Sequence, residues 1–341
     1  MQNLNKSSAI GLSVRLRRCA ALFALSLAIA TPSIGAGLPA QPPSQPLSQV
    51  PGYFRMQLGG FDLVALYDGH VDIDAALLRG AGLPMIDAAL GSAFLARSAP
   101  VQTAVNAYLV RTDEHLILVD TGTAKLFGDN LGYLLANLRA AGYKPEEIDT
   151  ILLTHLHPDH AGGLLTATGS MAFPNAQVFV PKADAEYWLS LKAEAAAPKE
   201  KQALFKMSRD AVAPYQAAGK LTVFTPKQFL RNGVSAVPAP GHTPGHTAYL
   251  FSSDRQNLLV WGDIIHNAAV QFPHPEVAIE FDWDQPRAVT TRRALLSQAA
   301  SRRWWVAGAH LPFPGLGRIH ADKEEAYRWV PAEYGPVHER P

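Results

Sequence analysis

The stretch Thr150-Ile151-Leu152-Leu153-Thr154, followed at once by His155-Leu156-His157-Pro158-Asp159-His160, decides how this chain folds and what it handles. The first five residues form a short apolar, β-rich run. Three imidazoles and a carboxylate then fall within six positions, a pattern expected by chance in about one in a thousand sequences of this length. Imidazole nitrogen and carboxylate oxygen are donors that suit Zn²⁺ and similar first-row ions. Side chains alternate along an extended segment, so His155 and His157 point to one side together. Beyond Pro158, Asp159 and His160 are free to address a second ion.

Four residues do not fill two coordination spheres, but the chain repeats the device three more times. Gly241-His242-Thr243-Pro244-Gly245-His246 is a Gly- and Pro-rich turn that lets backbone come close to a site. Leu258-Leu259-Val260-Trp261-Gly262-Asp263 is an apolar strand ending in a lone carboxylate, and Trp304–His310 is an apolar strand ending in a lone histidine. Taken singly, each is more often a cap or a satisfied core group. Their recurrence behind one strong cluster makes them candidate ligands.

Around these motifs, strand-like runs alternate with helical ones. Tyr53–Leu58, Phe61–Tyr67, Thr103–Arg111, His115–Val119, Ala176–Val180, Val234–Val237, Thr247–Phe251, Asn257–Trp261 and Arg303–Ala309 read as strands. Residues 130–141, 182–219 and 286–300 read as helices, with Gly142 as a C-cap. Interleaving of this kind predicts a layered α/β domain. With 48% apolar and 17% charged residues the chain supports a sizeable core. The net charge of +1 offers no basic footprint for nucleic acid.

The N-terminus differs from the rest. Arg15, Arg17 and Arg18 precede an apolar run from Ala20 to Ala30 and small residues near Ser33–Ala36. That order predicts a secretory signal over residues 1–36, too short in its apolar part to span a bilayer. The expected destination is the periplasm, with no membrane attachment in the mature form. A Pro-rich arm covers 37–52, and one hydrolase domain is expected over 53–341. The only cysteine, Cys19, falls in the signal, so the mature chain has no disulfide and no thiol ligand.

The set HxHxDH, GHTPGH, an apolar strand ending in GD and another ending in His resembles the metallo-β-lactamase superfamily. That resemblance implies an αββα sandwich with two divalent ions, Zn²⁺ first among them, in a groove between the sheets. One ion would take His155, His157 and His242, and the other Asp159, His160 and His310, with Asp263 bridging. His242 is the ligand of its turn, and His246 a supporting residue. Asp120, in Val119-Asp120-Thr121-Gly122, matches the family's VDTG turn and would orient the ligand loops. Two such ions would share a water and make it hydroxide at neutral pH.

Further stretches resemble the methyl parathion hydrolase group: HPDHAGG at 157–163, FPNA at 173–176, YWLS at 187–190, PGHTPGH at 240–246, AAVQF at 268–272, HLPFPGLG at 310–317 and YRWVPAEY at 327–334. By that resemblance Phe127, Trp188 and Phe205 line an aromatic pocket for a neutral ester, lactone or phosphotriester. Two departures bear on the substrate. His266 stands where the phosphotriesterases carry leucine and homoserine-lactone hydrolases a tyrosine, and Ile279 and Phe281 are bulkier than the group's pattern. An imidazole of near-neutral pKa there either gives a proton to a leaving alkoxide or serves as pocket wall. Added bulk crowds a tetrahedral phosphotriester more than a flat lactone. The expectation is a lactonase or arylesterase, with Asp263 and His266 in catalysis and organophosphate hydrolysis as a side activity. An organophosphate triesterase and, more remotely, a non-catalytic periplasmic binding protein are the alternatives. Oligomeric state is left open, a homodimer included.

Overall fold

The computed structural model describes residues 49–226, 229–231, 233–323 and 325–335. The signal expected at 1–36 and the arm up to residue 48 lie outside the described residues. Alternation of apolar side chains within each strand dictates the layering. Leu63 and Ala65 face one way along Phe61–Ile73, into a core shared with Tyr249, Phe251, Leu258 and Val260. Val64 and Leu66 face the other way, onto Leu134, Leu138, Val212 and Tyr215 of the helices Leu134–Ala140 and Lys199–Ala217. A strand buried on both faces must be covered on both, and each fully buried Leu or Val contributes about 1.5–3 kcal/mol.

The result is four layers, with two seven-stranded sheets among the described residues packed face to face. The first sheet runs in chain order from Tyr53–Leu58 to Leu221–Phe224, antiparallel at its start and parallel across Leu116–Val119, Thr150–Leu152, Gln177–Pro181 and Leu221–Phe224. In the second, Gln256–Val260 lies between Thr247–Ser253 and a parallel Trp305–Ala307. Leu295, Leu296 and Ala299 of the helix Gln285–Ser301 cover its outer face. This is the αββα sandwich. No helix among the described residues is long and apolar enough to cross a membrane.

Several boundaries move for physical reasons. The helical stretch expected over 182–219 is three helices, Lys182–Trp188, Leu191–Ala196 and Lys199–Ala217. Ser190 caps the second through the Ala193 N–H, and Pro198 precedes the third. The strand expected to end at Tyr67 continues to Ile73 through a bulge at Tyr67/Gly69. Only glycine fits that bulge: φ is +136° and a Cβ would lie 1.9 Å from the Asn130 carbonyl oxygen. The helix Leu83–Ser92 and the strands Leu221–Phe224, Leu316–Ala321 and Tyr327–Pro331 have no counterpart in the sequence reading.

Candidate metal centre

Every expected donor sits just past the end of a strand, where the chain leaves a sheet and its side chains are free to converge. Thr150–Leu152 of the first sheet leads to His155 and His157, and Pro158 opens the short helix Pro158–Ala161 carrying Asp159 and His160. The second sheet supplies His242 after Val234–Pro238, Asp263 after Gln256–Val260 and His310 after Trp305–Ala307. Gly262 is required before Asp263, since with φ at +56° a Cβ would lie 2.7 Å from His246 Nε2.

The donors gather into two groups: His155, His157, His242 and Asp263, and Asp159, His160, Asp263 and His310, the donor atoms of each lying within 4.8 Å of one another. Asp263 belongs to both. Its Oδ2 is 3.1 Å from His242 Nε2 and 3.1 Å from His310 Nε2, while Oδ1 is 3.0 Å from His160 Nε2.

Four imidazoles are aimed by what holds their other nitrogen. Nδ1 lies 3.0 Å from the Thr154 hydroxyl in His155, 2.9 Å from Asp120 in His160, 3.0 Å from Asp282 in His242 and 2.9 Å from the Ala104 carbonyl in His310. Each bond leaves the Nε2 lone pair turned to the centre. Asp120 also accepts from the Thr154 N–H and hydroxyl, both at 2.8 Å, which gives it the orienting place expected of it. His246 has both ring nitrogens engaged, Nδ1 with the Ala239 carbonyl and Nε2 accepting the Asp263 N–H at 3.0 Å. It supports Asp263 and stands outside both groups.

His155 Nε2, His160 Nε2 and Asp263 Oδ1 are buried without a hydrogen-bond partner, although two of them lie 3.0 Å apart. Buried polar atoms left unpaired cost about 1–3 kcal/mol each, and these three, distributed over the two donor groups, fit bound cations. The donor set, imidazole and carboxylate with no thiol, fits first-row divalent ions.

The charges agree with that fit. Burial and His160 hold His155 well below its usual pKa, and burial and His242 do the same to His157, so both are neutral donors. Burial alone would raise Asp263, but His160 and His310 hold it well below the carboxylate range. Burial pushes His242 and His310 down, and the carboxylates outweigh it. Asp263 and Asp282 raise His242 to about 9, and Asp263 and Asp159 raise His310 to about 10, so each holds a proton that a bound ion would displace.

Over the donors lies a cavity of about 520 Å³ whose lining includes Phe127, Trp188, Phe205, His266 and Phe281. Trp188 packs edge-on against His157 with 4.8 Å between ring centroids, and Phe205 backs Trp188 at 4.6 Å. Ile279 departs from expectation. Its two-residue strand pairs with Leu78–Arg79, which turns the side chain into a small core with Leu90, Val270 and Val277, away from the cavity. Tyr187, Trp283, Leu204 and the Val71–Ile73 segment line the cavity and were not foreseen.

His266 lies beside the donors, with Nε2 3.1 Å from Asp263 Oδ2 and its ring stacked on His310. The near-neutral pKa expected of it does not hold. Burial, against the pull of Asp263, lowers it to about 4. At neutral pH it is an uncharged imidazole, able to donate a hydrogen bond and not to act as an imidazolium.

Comparison with known proteins adds the family context. The model described as the metallo-beta-lactamase superfamily matches residues 101–310, a span that contains all seven donors. An N-acyl homoserine lactonase of Bacillus cereus is 27% identical over 202 residues, covering 53% of this chain and 71% of that protein. Among solved structures, the hydrolase AbOPH of the beta lactamase superfamily is 38% identical with a TM-score of 0.81, over 85% of this chain and 100% of that one. AidC, a dizinc quorum-quenching lactonase in complex with a product, is 30% identical with a TM-score of 0.76, over 84% of this chain and 99% of its own.

Proposed function

This chain belongs to the metallo-β-lactamase superfamily, and from that premise we propose that it is a dinuclear metal-dependent hydrolase of neutral lactones and aryl esters, with phosphotriester hydrolysis as a side activity. One observation carries the reading: two donor groups joined by Asp263 at the foot of an apolar, aromatic-walled cavity. The lactonases among its relatives support a lactone ring as the reacting group.

His155, His157 and His242 would hold one ion and Asp159, His160 and His310 the other, with Asp263 shared; we assign Zn²⁺ to both. When bound, the ions supply a nucleophilic water at neutral pH and a Lewis acid for the substrate carbonyl. The chain's own residues do the rest. Trp188 and Phe205 form a dry floor that excludes bulk water and receives the apolar part of the substrate. His266, beside Asp263, donates from its ring N–H to the ester oxygen as the carbon–oxygen bond breaks, steadying the charge that develops there. Asp120 and Asp282 keep His160 and His242 in the tautomer that points Nε2 inward.

We also assign residues 1–36 to an export signal, which would place the mature enzyme in the periplasm as one catalytic domain over 53–341 with a Pro-rich arm before it. The test of function is turnover by metal-replete protein on an aryl lactone, an acyl-homoserine lactone, methyl parathion, a β-lactam and a thioester. The lactones should turn over fastest, and chelation should stop every reaction. A phosphotriester hydrolysed faster than either lactone would make this a triesterase, and binding without turnover would make it a binding protein.

A further inference from the structure

We propose that Asp184 is the positioning residue of the first donor group, its one carboxylate fixing both loops that carry His155, His157 and His242, so that one of the two ion positions depends on it and the other does not. This rests on the dinuclear reading above and assigns a role to a side chain that touches neither group.

Asp184 stands in the first turn of the helix Lys182–Trp188 and is fully buried. Its Oδ2 accepts the Leu156 N–H at 2.8 Å and its Oδ1 the Gly245 N–H at 2.6 Å. Leu156 is the residue between His155 and His157. Gly245 is in the turn that begins with His242. The two loops come from different sheets, and this carboxylate joins their backbones.

Neighbouring contacts make the joint rigid. The Leu156 carbonyl accepts the Ser208 hydroxyl at 2.6 Å, so the backbone of that residue is held on both sides, from two helices. A Cβ on Gly245 would lie 2.3 Å from the Asp184 backbone nitrogen, so the turn is seated directly on the helix. One turn further along the helix, Trp188 packs against the His157 ring. The second group has other supports: Asp120 for His160 and the Ala104 carbonyl for His310. Burial raises the Asp184 carboxyl to about 6, against Thr243 and the two backbone N–H groups that lower it, the mark of a polar group kept in the interior for its bonds.

Asp184→Asn keeps one acceptor oxygen and sets an amide N–H₂ against the other backbone N–H, which frees one loop. Zn²⁺ affinity measured by competition with a chromophoric chelator, together with the Co²⁺ visible spectrum, should show two equivalents in the wild type. In Asp184→Asn one equivalent should bind about 10–100-fold more weakly, with the other unchanged and the Co²⁺ bands of one site lost. A merely structural role predicts a lower Tm of the metal-free chain with both equivalents weakened alike, and that result overturns the proposal, as does unchanged affinity. Fewer than two equivalents in the wild type overturns the dinuclear reading and this inference with it. If Asp184→Asn does not fold, Ser208→Ala decides. The same equivalent must weaken several-fold, and unchanged affinity there overturns the proposal.

Discussion

At the floor of the cavity the donors are buried and aimed through bonds to Thr154, Asp120, Asp282 and Ala104. In the wall, Phe127, Phe281 and Trp283 are 44%, 40% and 51% exposed, and the Phe281 ring lies 6.1 Å from that of His266. The two regions follow different rules. A floor residue has several partners that must all be satisfied at once, so replacing it disturbs a network. A half-exposed wall residue has few contacts to lose, and surface substitutions of that kind shift stability by about 0.5 kcal/mol or less. The floor therefore fixes which reaction is possible, while the wall can change with the substrate at little cost to the fold.

The largest break in this contrast should come from Asp263→Ala, which removes the carboxylate common to both groups. Hydrolysis of every substrate should fall to background and metal analysis should find fewer ions per chain. Turnover with both ions retained would remove Asp263 from the shared position. Next in size is Asp120→Asn, the mirror of the Asp184 experiment. Asp120 holds His160 directly and reaches His155 of the other group only through the Thr154 hydroxyl, so the larger loss, about 10–100-fold in metal affinity, should fall on the equivalent that Asp184→Asn spares. If both substitutions weaken the same equivalent, the two groups are not separately supported.

Legibility follows the same division. The seven donors could be read from sequence because each is a ligand-type residue at the end of an apolar run, a local signal. Their supports could not. Asp184 lies in Lys182-Ala183-Asp184-Ala185-Glu186, which reads as a solvated helical face, and Asp282 lies between two aromatics in Phe281-Asp282-Trp283. Each acquires its role only when distant segments close on it, Asp184 from Gly245 and Asp282 from His242. Ile279 was misplaced for a related reason: a pairing with Leu78, two hundred residues earlier in the chain, turns it away. The end of the strand Phe61–Ile73, which brings Val71–Ile73 to the cavity, was hidden by Asp68, Gly69 and His70, which interrupt the apolar pattern.

His266 stands at the border between floor and wall, and His266→Leu sharpens where that border runs. The substitution removes the Nε2 contact to Asp263 and leaves the volume filled. Loss of one hydrogen bond to the substrate oxygen predicts a kcat for lactones lowered roughly ten-fold, with KM little changed and phosphotriester hydrolysis kept or raised. An unchanged lactone kcat would return His266 to the wall.

The smallest effect is expected at Phe281. With 40% of its surface exposed and its ring 6.1 Å from that of His266, Phe281→Ala should leave Tm and metal content as they are. It widens the cavity on the side nearest His266, where a tetrahedral phosphotriester is crowded more than a planar lactone. KM for an aryl lactone should then rise a few-fold from lost apolar contact, while kcat/KM for methyl parathion rises relative to it. Both follow from the ratio of the two rates in a single preparation, which cancels any difference in metal loading. A ratio that does not move would mean that selection between the two substrates is made at the floor, by His266 and the donors themselves.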